Sequence, residues 1–293
     1  MSIDTEQIAL ETGSGHRFSL LATLPRAPTA AVLWLPALGV AARHYQPFAG
    51  ALARHGVATF LHEWRGHGTS SIRAGKGCDW GYRELLAEDL PASEAALRRR
   101  LPGLQRIVGG HSLGGQLACC HLGLSPDAAD RLWLVASGAP YWRAFPAPIR
   151  HGLPLAYRLL PWLARRFGAL PGRRIGFGGQ EAPGVMADWA ATALSGTYVA
   201  PGIDADLEQA MADAAPSVRA VVLEDDWLAP RSSLDFLLAK LPKALVQARS
   251  MDAGHVEARA DHFAWMRSPE AVAKWLCAET GEDAATPSTT PGR

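Results

Sequence analysis

Short apolar runs and amphipathic stretches alternate along most of the chain. Runs rich in branched and aromatic residues predict strands, and apolar residues spaced three or four positions apart predict helices. The predicted strands lie at 31–35, 57–62, 106–109, 132–137, 220–223 and 244–249. The predicted helices lie at 45–55, 85–100, 116–123 and 270–276. Because helices separate successive strands, the pattern indicates crossover connections and an α/β fold, with a mostly parallel central sheet flanked by helices.

The alternation stops between residues 140 and 215. This segment is rich in Pro, Trp and Arg, and prolines interrupt its helical patches, as in PYWRAFPAPIRHGLPLAYRLLPWLARR. We interpret it as a helical lid inserted over one end of the sheet. The core domain is then formed by residues 1–139 and 216–278, and the polar residues 279–293 predict a disordered tail.

Composition narrows the class of protein. The chain has 293 residues, of which 48% are hydrophobic and 19% charged, as in an ordinary globular protein. A net charge of +1 gives no electrostatic reason to expect nucleic acid or an anionic membrane as a partner. The four cysteines have neither disulfide-framework nor metal-site spacing, so we expect buried thiols. No secretory leader or membrane span is predicted, and a cytoplasmic location is expected.

One motif carries candidate chemistry. Residues 107–121 read IVGGHSLGGQLACCH, with four glycines in the seven residues 109–115. A G-x-S-x-G motif between a strand and a helix sets the serine on a sharp turn at the carboxyl end of the sheet. Gly110 and Gly114 remove side chains that would clash there. Ser112 is therefore the predicted nucleophile, and the backbone N–H of Leu113 is predicted to stabilise an oxyanion.

A serine nucleophile needs a base, and the base needs an acid that orients it. On this topology the acid follows a later strand and the histidine comes after it. The run AVVLEDDWLAP places Glu224, Asp225 and Asp226 directly after an apolar strand. Spacing to Pro230 favours Asp226, with Asp225 as the alternative.

These motifs resemble the α/β-hydrolase superfamily and, within it, the bacterial predicted α/β-hydrolases of serine-esterase type. The matching stretches include RGHGTS and GHSLGG, and they extend over nearly the whole chain: 33–52, 64–71, 79–90, 109–115, 222–230 and 261–276. The resemblance implies an α/β-hydrolase fold that carries a helical lid. It also implies a Ser-acid-His triad and a second oxyanion donor after the first central strand.

Two departures from the family pattern affect the site residues. Where members usually carry His-Gly, this chain has Pro36-Ala37, so the matching oxyanion donor becomes the N–H of Leu38. Members usually carry the catalytic histidine in a Gly-His pair, which favours His255. The distance to the final helix instead favours His262, which we choose, with His255 as the alternative.

The resulting interpretation is a serine hydrolase that cleaves a carboxylic ester or related acyl bond of a small molecule through an acyl-enzyme. The predicted triad is Ser112, Asp226 and His262. No metal or organic cofactor is expected. An acyltransferase on the same triad and a non-catalytic small-molecule-binding member of the fold are the alternatives. Further substrate contacts are assigned to His111, which is otherwise a packing residue under the turn, and to Trp142, Trp189 and Trp227.

Overall fold

The structure, a computed structural model, describes residues 3–278, so the predicted tail at 279–293 lies outside the described residues. The strands are β1 Ile3–Glu11, β2 Arg17–Pro25, β3 Ala30–Leu35, β4 Val57–Leu61, β5 Gln105–His111, β6 Arg131–Val135, β7 Leu170–Pro171, β8 Gln180–Glu181, β9 Ser217–Leu223 and β10 Leu245–Met251. Eight of them form one sheet in the order β1-β2-β4-β3-β5-β6-β9-β10, and β7 pairs with β8 alone. In the described sheet β2 runs opposite to the other seven strands, which confirms the predicted mostly parallel arrangement.

Helices connect these strands. They are α1 Gln46–Arg54, α2 Tyr82–Glu84, α3 Leu90–Arg100, α4 Leu113–Leu124, α5 Ile149–Phe167, α6 Gly172–Ile175, α7 Pro183–Ser195, α8 Leu207–Asp213, α9 Arg231–Leu238, α10 Ala253–Val256 and α11 Glu270–Cys277. A π-helical stretch at Leu85–Asp89 joins α2 to α3, so residues 82–100 form one continuous helix. Short 3₁₀ turns lie at Ala42–Tyr45, Pro126–Ala128, Trp142–Ala144 and Ala264–Arg267. Within residues 3–278, no helix has the length and apolar character needed to cross a membrane.

The sheet separates two hydrophobic cores. Successive strand residues face opposite sides, so Leu33 of β3 and Leu134 of β6 enter one core while Trp34 and Trp133 enter the other. Helices α1 and α11 cover the tryptophan side, and the helix 82–100, α4, α8 and α9 cover the leucine side. Apolar residues on both faces explain why the central strands read as continuous apolar runs.

Residues 140–215 connect β6 to β9, two strands that are adjacent in the sheet. They contain α5, α6, α7, α8 and the β7–β8 pair, so the segment predicted to be a helical insertion is largely helical. We call this segment the insertion. The Asp79 and Asp188 carboxylates accept hydrogen bonds of 2.8 Å from the N–H groups of Gly184 and Tyr82. These bonds join α7 to the loop that precedes the helix 82–100.

The sequence pattern missed the N-terminal hairpin formed by β1 and β2, and it also missed α9. β1 lies at the edge of the sheet, and each of its residues is exposed or only partly buried. An edge strand of this kind needs little apolar surface, so its periodicity is weak. The prediction for residues 85–100 also began too late, since the helix starts at Tyr82.

A buried polar cluster joins the hairpin to the core. The guanidinium of Arg65 donates to Asp89 at 2.7 Å and to Glu88 at 2.8 Å. The ring of His16, in the β1–β2 turn, lies 3.1 Å from Asp89 and 3.0 Å from the hydroxyl of Ser70. The Asp89 side chain is fully buried. One carboxylate therefore links the hairpin turn, the loop after β4 and the helix 82–100.

We expect Asp89→Ala to lower the free energy of unfolding by about 3 to 5 kcal/mol, because it leaves the buried Arg65 cation without its main partner. Asp235→Ala is the control, since Asp235 forms an exposed pair with Arg231 and such pairs contribute about 1 kcal/mol or less. Urea unfolding measures both variants. An equal, small loss in the two variants would contradict a structural role for the cluster.

Candidate active site

Ser112 occupies a strained turn between the end of β5 and the start of α4. Its φ of 55° and ψ of −120° place a residue with a side chain in the left-handed half of the map. A Cβ at Gly110 would lie 2.3 Å from the carbonyl carbon of Gly114, and one at Gly114 would lie 2.0 Å from the Leu35 oxygen. The two backbone segments therefore approach so closely that only glycine fits at both positions.

The outer two glycines of the motif are also close to neighbouring strands and loops. A Cβ at Gly109 would lie 2.8 Å from the Trp133 oxygen, and one at Gly115 would lie 2.1 Å from the Ser137 hydroxyl. A side chain at any of these four positions would clash with its neighbours, which explains why all four are glycine. The backbone N–H of Ser112 donates to the Val135 oxygen at 3.2 Å, which joins the turn to the end of β6.

Asp226 and His262 form a direct hydrogen bond. The Nδ1 of His262 lies 2.7 Å from Asp226 Oδ2, and because a carboxylate only accepts, the imidazole donates. The other carboxylate oxygen accepts from the N–H groups of Leu228 at 2.9 Å and Ala229 at 3.0 Å. The Asp226 side chain has no exposed surface. Three hydrogen bonds thus hold the carboxylate in place and leave Nε2 of His262 available for another group.

The alternative residues lie elsewhere. His255 belongs to α10, where its Nδ1 contacts Asp252 at 2.7 Å, and 45% of its side chain is exposed. Glu224 and Asp225 are exposed in the loop after β9. The structure therefore brings together Asp226 and His262 and leaves His255 and Asp225 on the surface.

Ser112 and His262 line one pocket of about 310 Å³. Side chains of the insertion form part of its wall, among them Leu153, Ala156, Tyr157, Leu160, Phe177 and Trp189. Leu38 and Leu113, whose N–H groups are the predicted oxyanion donors, line the pocket beside Ser112. Leu113 is the first residue of α4, where N–H groups have no partner within the helix.

The four predicted substrate contacts divide into two pairs. Trp189 and Trp227 line the pocket, whereas His111 and Trp142 are not among its lining residues. Trp142 begins a 3₁₀ turn outside the pocket, where the Arg143 guanidinium lies 4.9 Å from its ring centroid. His111 is fully buried behind the serine. We therefore propose substrate contacts for Trp189 and Trp227, and not for His111 or Trp142.

His111 instead connects two parts of the site. Its Nδ1 lies 2.8 Å from the Tyr45 hydroxyl, and that hydroxyl accepts the Ala37 N–H at 2.9 Å. Since the phenol accepts from Ala37, its own proton is free to reach His111. Burial and the nearby charge of His262 lower the pKa of His111 well below its usual value, so its ring is a neutral acceptor.

Tyr45 is the residue of this site that the sequence did not indicate. It lies at the start of α1, and nothing in its local sequence distinguishes it from an apolar core residue. Through its hydroxyl, it links the loop that carries Leu38 to the residue that precedes Ser112. The buried phenol therefore helps to fix the relative position of the two predicted oxyanion donors.

Comparison with known proteins identifies a matching family and structures of similar fold. The sequence model of the family described as serine aminopeptidase, S33, matches residues 26–243. A hydrolase from Pseudomonas aeruginosa PA01 is 18% identical, with a TM-score of 0.59 and coverage of 92% of this chain and 97% of that one. An esterase from Thermogutta terrifontis is 16% identical, with a TM-score of 0.60 and coverage of 92% and 96%. A thioesterase domain from the curacin pathway is 17% identical, with a TM-score of 0.57 and coverage of 94% and 100%. Similarity at this level of identity shows a shared fold.

We expect Tyr45→Phe to lower the free energy of unfolding by about 1 to 3 kcal/mol, because the Ala37 N–H and the His111 ring then lack a buried partner. Amide exchange at Ala37 should accelerate. Tyr157→Phe is the matched control, because the Tyr157 hydroxyl has no hydrogen-bond partner among the described residues. The free energy of unfolding of this variant should barely change. Equal behaviour of the two variants would show that the phenol does not hold the loop.

Proposed function

The chain belongs to the serine aminopeptidase S33 family of α/β-hydrolases, and from this we propose that it cleaves a carboxylic ester or related acyl bond of a small molecule through an acyl-enzyme on Ser112. The observation that carries the proposal is the Asp226–His262 hydrogen bond, in a pocket that Ser112 also lines. A nucleophile, a base and a buried acid are the three groups that acyl transfer to serine needs. The family assignment and the esterase and thioesterase folds of similar structures support a hydrolase.

In the proposed mechanism, Ser112 attacks the acyl carbonyl while Nε2 of His262 takes the hydroxyl proton. The Asp226 carboxylate stabilises the imidazolium through the Nδ1 bond. The N–H groups of Leu38 and Leu113 donate to the negative oxygen of the tetrahedral intermediate. His262 then returns the proton to the leaving group, and the acyl group remains on Ser112. Water, deprotonated by the same imidazole, releases the acid.

The lining of the pocket supports an uncharged acyl group as substrate. Cleavage at a free peptide N-terminus would require a partner for an ammonium group, and carboxylates are the usual choice. Among the described residues, no aspartate or glutamate lines the pocket. Apolar side chains form most of its wall, which favours an aliphatic or aromatic acyl chain. We therefore propose acyl esters or thioesters ahead of peptides.

The insertion is proposed to act as the lid and as the acyl-binding wall. Trp189 packs against Tyr157 and Phe177, with ring centroids 5.0 and 5.5 Å apart, which gives the wall a rigid aromatic patch. Large apolar side chains exclude water from the reacting atoms and strengthen the electrostatic interactions there. Residues 140–215 would then set the acyl preference, while the sheet carries the reacting groups.

The roles of serine and histidine are tested with three variants. We expect Ser112→Ala to abolish both fluorophosphonate labelling and hydrolysis of p-nitrophenyl butyrate, with unfolding unchanged because only a hydroxyl is lost. His262→Ala should lower kcat by about 10² to 10⁴-fold. His255→Ala is the control and should stay within about tenfold, or roughly 1.4 kcal/mol. Labelling that persists in Ser112→Ala, or equal losses in the two histidine variants, would falsify the mechanism.

The acyl wall is tested on two leucines of α5. Leu153 lines the pocket, whereas Leu155 lies on the outer face and is 74% exposed. We expect Leu153→Trp to lower kcat/KM for p-nitrophenyl octanoate relative to the acetate by at least about tenfold, because the larger ring fills space needed by the long chain. Leu155→Trp should leave the octanoate-to-acetate ratio unchanged. If both variants keep the ratio of the unmodified protein, the acyl chain binds elsewhere.

A further inference from the structure

A second concavity, of about 630 Å³, lies beside the catalytic pocket, and we call it the basic cleft. It is formed by the loops after β3 and β4 together with the β7–β8 region of the insertion. Its basic lining residues are Arg43, His44, His67, Arg73, Arg173 and Arg174. Within the described part of the chain, no acidic residue lines it. Four guanidinium groups from three separate segments therefore converge on one depression.

The charge of these arginines is not neutralised by surface partners. Arg43, Arg173 and Arg174 are exposed, and none of them pairs with a carboxylate of residues 3–278. Arg73 is held differently, because its guanidinium donates to three backbone carbonyls of its own loop, at Gly68, Ser70 and Ile72. The cleft thus combines one anchored guanidinium with three free ones.

Two buried carboxylates lie beneath the cleft and are already occupied. Glu181 lies 3.3 Å from the ring of His67 and accepts the Gly179 N–H at 2.8 Å. Glu63 accepts the N–H groups of Ala42 at 3.0 Å and Thr69 at 3.3 Å. Burial disfavours a charged imidazole, but the hydrogen bond and charge of Glu181, with the charge of Glu63, raise the pKa of His67. The four guanidinium groups of the cleft outnumber these two carboxylates, so a net positive charge remains above them.

Only backbone separates the cleft from the catalytic pocket. Leu38 and Gly178 line the pocket, and the residues that follow them, Gly39 and Gly179, line the cleft. A Cβ at Gly39 would lie 2.3 Å from the Gly179 nitrogen, so the two loops touch through their main chains. This contact closes the wall between the two spaces at that point. The exposed α6 segment borders both of them, because Ile175 lines the pocket and Arg174 lines the cleft. A ligand that passes over α6 therefore reaches both spaces.

We propose that the basic cleft binds an anionic group, a phosphate or a carboxylate, on the leaving alcohol or thiol of the substrate. This inference rests on the proposed function and names the substrate class for the same site. No aspartate, glutamate, lysine or arginine is among the described residues that line the catalytic pocket, which suits an uncharged acyl group. The planar donors of arginine match the oxygens of phosphate and carboxylate. An uncharged acyl group in the pocket and an anionic leaving group in the cleft account for both surfaces.

Three butyrate esters of similar size test the proposal: those of methoxyethanol, glycolic acid and ethylene glycol monophosphate. We expect kcat/KM for at least one charged ester to exceed that for the neutral ester by tenfold or more, and the better of the two identifies the anion. The double variant Arg173→Ala, Arg174→Ala should lose this preference, and Arg43→Ala, on the core side of the cleft, should reduce it. Arg165→Ala removes an equal charge from the insertion outside the cleft and should keep it.

A binding measurement separates failure of this inference from failure of the proposed function. Calorimetric titration of ethylene glycol monophosphate and of glycolate into the Ser112→Ala protein should show binding of the anion that the kinetics favour. The double arginine variant made in that background should lose this binding. Hydrolysis of all three esters at equal rates, or a preference that survives the double variant, overturns the cleft assignment and leaves the serine mechanism intact. Absence of ester hydrolysis and of probe labelling at Ser112 overturns the proposed function. The calorimetric measurement of anion binding requires neither hydrolysis nor labelling, so it tests the cleft separately.

Discussion

The close approach of two backbone segments around Ser112 is the constraint on which the site depends. The end of β5 and the start of α4 come so near to each other, and to the end of β3, that Gly110 and Gly114 have no room for a side chain. Ser112 is left at a positive φ, a conformation that costs roughly 1 to 3 kcal/mol and persists only where its surroundings enforce it. Because this turn is rigid, every other group of the site has to be brought to it by the loops of neighbouring strands.

The groups brought to that turn are held by hydrogen bonds rather than by apolar packing alone. Asp226 is held by two backbone N–H groups and in turn orients His262. On the opposite side, the Tyr45 hydroxyl holds the loop after β3 against His111. A buried polar group without a partner is destabilising, so each of these contacts favours a single arrangement. The site therefore has its geometry before any ligand enters, and the insertion adds an apolar wall on one side and a basic surface on the other.

Prediction from sequence succeeded where a signal is local. Central strands such as β3 and β9 are apolar on both faces, so they stand out as runs, and the family of α/β-hydrolases was indicated by short motifs. The distance to the final helix favoured His262 over His255, and His262 is the histidine that contacts Asp226. Contacts between residues far apart in sequence left no such signal. The Tyr45–His111 contact spans 66 positions, and the basic cleft combines residues near 43, 73 and 173. The prediction missed β1 for another reason. β1 is a half-exposed edge strand, and such a strand needs few apolar residues.

The path between β6 and β9 has a consequence for how this protein changes over evolutionary time. These strands are parallel neighbours, and a single crossover helix is enough to connect such a pair. α8 already fills that role, since it packs on α4 so closely that a Cβ at Gly123 would lie 2.8 Å from the Met211 nitrogen. The segment from 140 to about 206 is therefore an excursion that the sheet does not require for its topology. Residues that shape the pocket wall and half of the basic cleft lie on that excursion. Substitution of residues that line the pocket or the cleft leaves the hydrogen bonds between the strands in place, so the proposed selectivity can change while the turn that carries Ser112 stays as it is.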